Sequence, residues 1–322
     1  MIKFLAIDNN QHFISLIKQV VLQYSNIKFY SMYSCNHIGS FSLKVKPDLI
    51  LIDSEMVLEF GMEKLCKVKD CLPNTKFILM SSCQKENEKK LFKLLDFGFS
   101  SFLLKKDFKR TIKLLLDYFF RSSCITINEI NSSENYVFTS TPVICIGGSA
   151  GSTSLIYDIV RNIDNFNAIL IIVIHMPEMF TEVFARKLNS LAIVNVKEAK
   201  NSENIKKGNV YIVKGGKNMI VDKYGYFQIV DRLTPFTPSI DLLLMSISEY
   251  TKDNTISIIL SGMGNDGVAG IKRVKENGGV SLVQSPRTAE YSYMPENIIK
   301  TGNVDLILED DEIIKFINKL GG

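Results

Sequence analysis

The apolar residues of this chain fall into short unbroken runs, and the stretches between them carry apolar residues at helical spacing. Ile2–Ile7 is such a run, and a helical pattern follows from His12 to Tyr24. Ile27–Tyr30 reads as a second strand, Asp48–Ile52 (DLILI) as a buried strand ending at Asp53, and Phe77–Met80 as another ending at Ser81. Lys85–Phe97 places Leu91, Leu94 and Leu95 on one helical face. Ser101–Leu104 is a last strand ending at Lys105, and Phe108–Phe120 reads as a closing helix. Apolar runs this short fit strands buried on both faces, and their alternation with helices predicts a parallel sheet covered on both sides.

Residues 121–141 (RSSCITINEINSSENYVFTST) break the pattern, being rich in Ser, Asn and Thr without a sustained period, and read as a linker. From Pro142 the alternation resumes. Strands are predicted at 143–146, 168–174, 193–197, 210–213, 256–260, 280–284 and 304–308, and helices at 152–163, 179–190, 239–250, 267–276 and 310–319. Between Tyr211 and Val230, Gly215-Gly216 and Tyr224-Gly225 punctuate short β runs, which predicts an inserted β-hairpin. The expected architecture is α/β twice over. A doubly wound, flavodoxin-like domain spans 1–120, a linker 121–141, and a second doubly wound parallel-sheet domain with a hairpin insertion 142–322.

Composition narrows the function. With 322 residues, 46% hydrophobic and 22% charged, the chain has apolar mass for two cores. A net charge of +4, with lysines interleaved among acids, argues against a nucleic-acid partner. The six cysteines form no CxxC and none sits at ligand spacing from a histidine. A zinc site is therefore not expected, and free, mostly buried thiols in a reducing compartment are. The opening MIKFLAIDNN turns polar too soon for a signal-peptide core, and the longest apolar run, Ala168–Ile174, is strand-sized. The expectation is a cytoplasmic protein with no membrane insertion.

In an open parallel sheet, ligands gather at the carboxyl ends of the strands. In the first half those ends carry Asp8, Asn9, Asp53, Ser81 and Lys105. Taken singly, each is an ordinary strand-end polar residue; together they bring two carboxylates, a hydroxyl and an ammonium to one crevice. Carboxylate oxygens suit Mg²⁺, and a carboxylate attacking phosphorus needs its charge neutralised, which makes Asp53 the candidate phosphoacceptor. The pattern AIDNN, LILIDSEM, ILMSS, Phe97-Gly98 and FLLK resembles the receiver domain of two-component response regulators over residues 1–120. The resemblance implies Asp53 as phosphoacceptor, Asp8 and Asn9 beside the metal, the Glu55 carbonyl as a metal ligand, and Ser81 and Lys105 as phosphate-sensing groups. Asn9 stands where the family usually has a second acid, which implies weakened Mg²⁺ binding, and Lys106 stands where the family usually has proline.

In the second half, Val143–Ser152 reads VICIGGSAGS, an apolar strand running through a tight glycine turn into a helix. The glycines allow the turn and a close substrate approach, and Ser149 is exposed near helix N-terminal amides able to hold an oxyanion. A serine nucleophile needs a base, and the chain has three histidines. His12 and His37 belong to the first half, whereas His175 ends the buried strand AILIIVI. The third partner is an acid at another strand end, Asp266 in SGMGNDGVAG, which would orient His175 and stabilise its cation. GxSxG alone is a weak motif, and a GMGNDG loop alone could cradle a phosphate; three strand ends carrying nucleophile, base and acid form a stronger pattern. The G-x-G-x-x-G dinucleotide pattern is absent. The order Ser149, His175, Asp266 departs from the Ser–acid–His order of α/β-hydrolases.

IGGSAGS, IVIHMPEMFTEVFARKLN, PSID at 238–241 and ILSGMGNDGVAGIKRVKENGG make residues 142–322 similar to the catalytic domain of chemotaxis protein-glutamate methylesterases, and the whole chain to their response-regulator form. The resemblance implies hydrolysis of glutamate methyl esters, and deamidation of glutamines, on methyl-accepting chemoreceptors, with a chemotaxis histidine kinase as phosphodonor. It also implies an oxyanion hole from the amides of Ala150 and Met263, and no cofactor for catalysis. Gly148, Ala150 and Ser152 depart from the usual residues around the serine, as do Lys214 and Asn218, where proline and histidine are common. Such a fused architecture implies control of the hydrolase by phosphorylation of the receiver. The competing expectation is a non-catalytic receptor-binding module with a degenerate receiver; a DNA-binding effector ranks far below, because no basic helix-turn-helix segment is present.

Overall fold

The structure, a computed structural model, describes residues 1–82, 102–105, 108–109, 112–113, 116, 138–164 and 166–321. The chain divides into two compact units, Met1–Ser123 and Cys124–Gly322. The predicted helix Lys85–Phe97, the Phe97-Gly98 pair, Lys106 and residues 121–137 of the predicted linker lie outside the described residues.

The first unit runs β1 (Ile2–Ile7), α1 (Gln11–Val21), β2 (Ile27–Met32), α2 (Ile38–Val45), β3 (Leu49–Asp53), α3 (Ser54–Phe60), α4 (Met62–Asp70), β4 (Lys76–Ser81) and β5 (Phe102–Leu104). Its five strands are all parallel, in the order β2-β1-β3-β4-β5. That order reverses between β1 and β3, and the reversal opens a crevice beyond their carboxyl ends. Phe4–Ile7 and Leu49–Ile52 are buried throughout, as strands covered on both faces must be. Helix α1 starts where the Asn10 side chain accepts from the Phe13 amide, and it buries Phe13, Ile14, Ile17 and Val21. The sequence pattern did not single out α2, α3 and α4. Helix α2 is short and interrupted by Gly39, Ser40 and Ser42, and Gly61, at φ +103°, separates α3 from α4. Of the predicted Phe108–Phe120 helix, Phe108, Ile112 and Leu116 are described, and all three are buried.

The second unit runs β6 (Val143–Gly148), α5 (Thr153–Arg161), β7 (Ile169–Ile174), α6 (Glu178–Leu191), β8 (Asn195–Glu198), β9 (Asn209–Ile212), β10 (Asn218–Val221) and β11 (Phe227–Val230). It continues with α7 (Ile240–Thr251), β12 (Thr255–Ile259), α8 (Val268–Glu276), β13 (Val280–Gln284), α9 (Tyr293–Ile299), β14 (Leu306–Leu308) and α10 (Asp310–Gly321). Seven strands form one parallel sheet in the order β14-β13-β12-β6-β7-β9-β8. The central β6 and β7 are buried at every position. The hairpin is narrower than expected: it is β10 with β11, while Tyr211 belongs to the main sheet in β9. Helix α9 escaped prediction because Pro295 sits inside it; in a first helical turn a missing N–H costs little. Among the described cysteines, Cys35 and Cys145 are buried, but Cys66 is half-buried and Cys71 exposed. No helix among the described residues is long and apolar enough to cross a membrane.

Candidate active site

Strands β12, β6 and β7 are neighbours in the sheet, so their carboxyl ends lie side by side. Gly148 pairs with Ile174, and the His175 amide donates to the Gly148 carbonyl at 3.2 Å. Ser149 and His175 are therefore cross-strand neighbours just beyond the ladder. On the other side, the Ser149 amide donates to the Ser261 carbonyl at 3.0 Å, which ties the serine turn to the loop leaving β12. That loop presses on the serine: a Cβ added at Gly262 would come within 2.8 Å of the Ser149 Cβ. Gly151 turns the chain at φ +79°, where a Cβ would meet the Ser261 Oγ at 2.6 Å. Among the described residues, no backbone carbonyl takes the N–H of Ala150 or of Met263.

His175 Nε2 lies 2.8 Å from Asp266 Oδ2. An ionised carboxylate only accepts, so Nε2 carries a hydrogen, and whenever the ring is neutral the lone pair is on Nδ1. Asp266 is 3% exposed and takes four donors: His175 Nε2, the Ser239 Oγ at 3.3 Å, and the Ile240 and Asp241 amides at 2.8 and 3.0 Å. The two amides open α7, so the carboxylate sits at the positive end of that helix. Burial works to raise its pKa; the hydrogen bond and charge of His175 and the two amides outweigh this and hold it below the usual carboxylate value. Asp241 behaves oppositely. Burial pushes it up to about 6, against the Gly270 amide, which donates to it at 2.7 Å, and with help from the Asp266 charge.

Sequence reasoning gave no role to several residues that build this site. Phe236 stacks on the His175 ring, 4.9 Å between centroids and 6° between planes. Asn218 at the start of β10 holds the segment that carries Phe236. Its Nδ2 donates to the Arg232 carbonyl at 2.7 Å and to the Thr234 Oγ at 2.8 Å, and its Oδ1 accepts from the Ser239 amide at 2.9 Å. Thr234 in turn donates to the Phe236 carbonyl at 2.6 Å. Ser239 could have been found: a serine before the apolar run IDLLL is an N-cap signal, and its Oγ accepts from the Leu242 amide. Phe236, between two prolines, gives no such signal. Lys214 faces Glu178 at 3.3 Å.

In the first unit, Lys105 Nζ lies 2.7 Å from both Asp8 Oδ2 and Asp53 Oδ2. The inner oxygens are also engaged: Asp8 Oδ1 accepts from the Asn10 amide at 2.8 Å, and Asp53 Oδ1 from the Glu55 and Met56 amides at 2.9 Å each. Burial works to lower the Lys105 pKa, but its pairing with Asp53 and Asp8 prevails and raises it. Asp8, Asp53 and Ser81 are buried at the strand ends, while Asn9 is exposed. Glu55 stands in the first turn of α3, where its side chain accepts from the Ser82 Oγ at 3.1 Å.

The first unit has the receiver-like sheet order, and the second is a parallel α/β domain with a hydroxyl, an imidazole and a buried carboxylate at adjacent strand ends. Residues 144–317 match the model of the CheB methylesterase family. A protein-glutamate methylesterase/protein-glutamine glutaminase of Clostridium acetobutylicum is 31% identical, covering 86% of this chain and 87% of its own length. The like-named protein of Lawsonia intracellularis is 26% identical over 97% of each. The crystal structure of the Thermotoga maritima CheB methylesterase catalytic domain matches 56% of this chain and all of its own, with 32% identity and a TM-score of 0.54. The chain belongs to the CheB methylesterase family.

Proposed function

We propose that residues 142–322 hydrolyse glutamate methyl esters, and deamidate glutamines, on methyl-accepting chemoreceptors, with Ser149 as nucleophile, His175 as base and Asp266 as orienting acid. The observation that carries this reading is the 2.8 Å bond between His175 and a buried Asp266, beside a serine one strand away. Ser149 Oγ attacks the ester carbonyl while His175 takes its proton at Nδ1. Asp266 keeps the ring in that tautomer and stabilises the imidazolium. The tetrahedral oxyanion is held by the amides of Ala150 and Met263, whose hydrogens no backbone carbonyl among the described residues uses. His175 then protonates the departing methanol, and water enters to release the acyl group from Ser149. This cycle runs on protein groups alone. Replacing Ser149 by Ala should lower methanol release from a methylated receptor by about 10⁶-fold; a Ser149→Ala protein that matched wild type would end the proposal.

Residues 1–120 are read as a receiver phosphorylated at Asp53 by a chemotaxis histidine kinase, joined through 121–141 to the esterase. Asp8 and Asp53 turn oxygens toward one point, where a single ammonium now bridges them at 2.7 Å. Two hard carboxylates converging in this way fit Mg²⁺, which Asp8, Asp53, the Glu55 carbonyl and the Asn9 amide oxygen would hold. When bound, the ion neutralises charge on an incoming phosphoryl group. Asn9 supplies no charge, so the affinity should be low. Lys105 and Ser81 would then contact the phosphoryl oxygens, and the added charge at Asp53 would alter the esterase rate. Methanol release with and without acetyl phosphate tests this control; equal rates, with Asp53 demonstrably phosphorylated, would refute it.

A further inference from the structure

The geometry points to Ser152 as a positioning residue that sets the peptide plane of the oxyanion-binding Ala150 amide, an inference that rests on the esterase reading above. Ser152 is fully buried. Its Oγ donates to the Ser149 carbonyl at 2.7 Å, and its own amide donates to the same oxygen at 3.2 Å. The Ser149 carbonyl and the Ala150 N–H are the two ends of one planar trans peptide, so clamping the oxygen orients the hydrogen on the opposite side. Rotation of this unit would carry the N–H away from the space beside the Ser149 hydroxyl. The second donor also polarises the peptide, which strengthens its N–H as a donor to an anion.

The placement of the side chain supports this role. Ser152 stands immediately before α5, where a serine ordinarily accepts from an amide of the first helical turn. Here it makes no such cap, and its hydroxyl points back into the nucleophile turn. Room for it exists because residue 148 is glycine: a Cβ there would lie 2.6 Å from the Ser152 Oγ and 2.8 Å from its Cβ. Ser152 touches neither substrate nor reacting atoms in this scheme; it acts through the Ala150 peptide.

The test compares wild type, Ser152→Ala, Ser152→Gly and Ser149→Ala, using methanol release from a methylated chemoreceptor fragment and the labelling rate of Ser149 by a fluorophosphonate. Ser152→Ala keeps the Cβ and removes one hydrogen bond. It should lower kcat by about tenfold, leave KM within about twofold, and slow labelling by a similar factor. Rates are normalised to folded protein by near-UV circular dichroism, so a purely structural loss is separated out. Should the alanine variant not fold, Ser152→Gly, which needs less room, probes the same bond. Wild-type kcat and labelling rate in a folded variant would overturn the inference, as would a loss confined to KM. A wild type no more active than Ser149→Ala would instead sink the esterase reading and carry this inference with it.

Discussion

Asp53 and Asp266 are the same chemical device used in two ways. Each is a buried carboxylate at the carboxyl end of a parallel sheet, and each accepts from two successive amides at a helix N-terminus. Asp53 caps α3, the helix that follows it directly, at amides of residues 55 and 56. Asp266 caps α7 at amides that lie 26 and 25 residues away. Their remaining partners differ as well. The outer oxygen of Asp53 meets one ammonium, shared with Asp8, on a flexible four-carbon stem. Asp266 is surrounded by four donors drawn from two segments, His175 after β7 and the consecutive residues 239–241 that open α7. The first arrangement leaves an oxygen that can exchange its partner, which the proposed phosphoacceptor role requires. The second fixes a charge and a ring orientation in advance, which the proposed orienting-acid role requires.

The comparison breaks most sharply at Asp266. Asp266→Asn turns an amide group toward donors that need an acceptor and leaves His175 in the wrong tautomer, so kcat should fall about 10⁴-fold with the fold intact. A fall of less than tenfold in methanol release would mean that the carboxylate is not the preorganised element. Gly262→Ala acts on Ser149, the proposed nucleophile, because the new Cβ would meet the flexible Met294 Sδ and crowd the Ser149 Cβ at 2.8 Å. A loss of about 10²-fold in kcat, with Asp266 untouched, is expected from such a displacement.

On the receiver side, Lys105→Met leaves two buried carboxylates facing each other without their shared cation. The first unit should lose about 3 kcal/mol in urea denaturation, and added Mg²⁺ should recover part of it. An unchanged midpoint would show that the ammonium is dispensable rather than exchangeable. Asn218→Ala removes three hydrogen bonds from the segment that carries Phe236 and Ser239. A loss of about 2 kcal/mol is expected in the second unit, read by the same denaturation.

The smallest effect concerns Asp241, whose pKa is pushed up to about 6 by burial. An acid with a raised folded pKa binds its proton more tightly when folded. Its contribution to stability is whole below the ordinary value near 3.8 and is lost as pH rises through about 6. Asp241→Asn removes that loss, so between these pH values the unfolding midpoint should fall less steeply than in wild type. Parallel slopes for the two proteins would place the titration elsewhere.

Local pattern carried much of this molecule. Apolar runs marked most of the strands, and the residues after them placed Ser149, His175 and the Asp8, Asp53, Ser81 and Lys105 set at sheet edges, because a strand's end is visible where its apolar run stops. The cap of Asp53 on α3 is local too, and both partners stand within three residues. What the chain alone left open is contact between distant segments. Nothing in the neighbourhood of Phe236 announces His175, nothing around Gly262 announces the Ser149 Cβ, and nothing beside Asp266 announces the amides of α7. Helical and strand periods report which face a residue occupies, not which residue from elsewhere comes to meet it. That was decided when seven strands were ordered in one sheet and the glycine-lined loops closed over its edge.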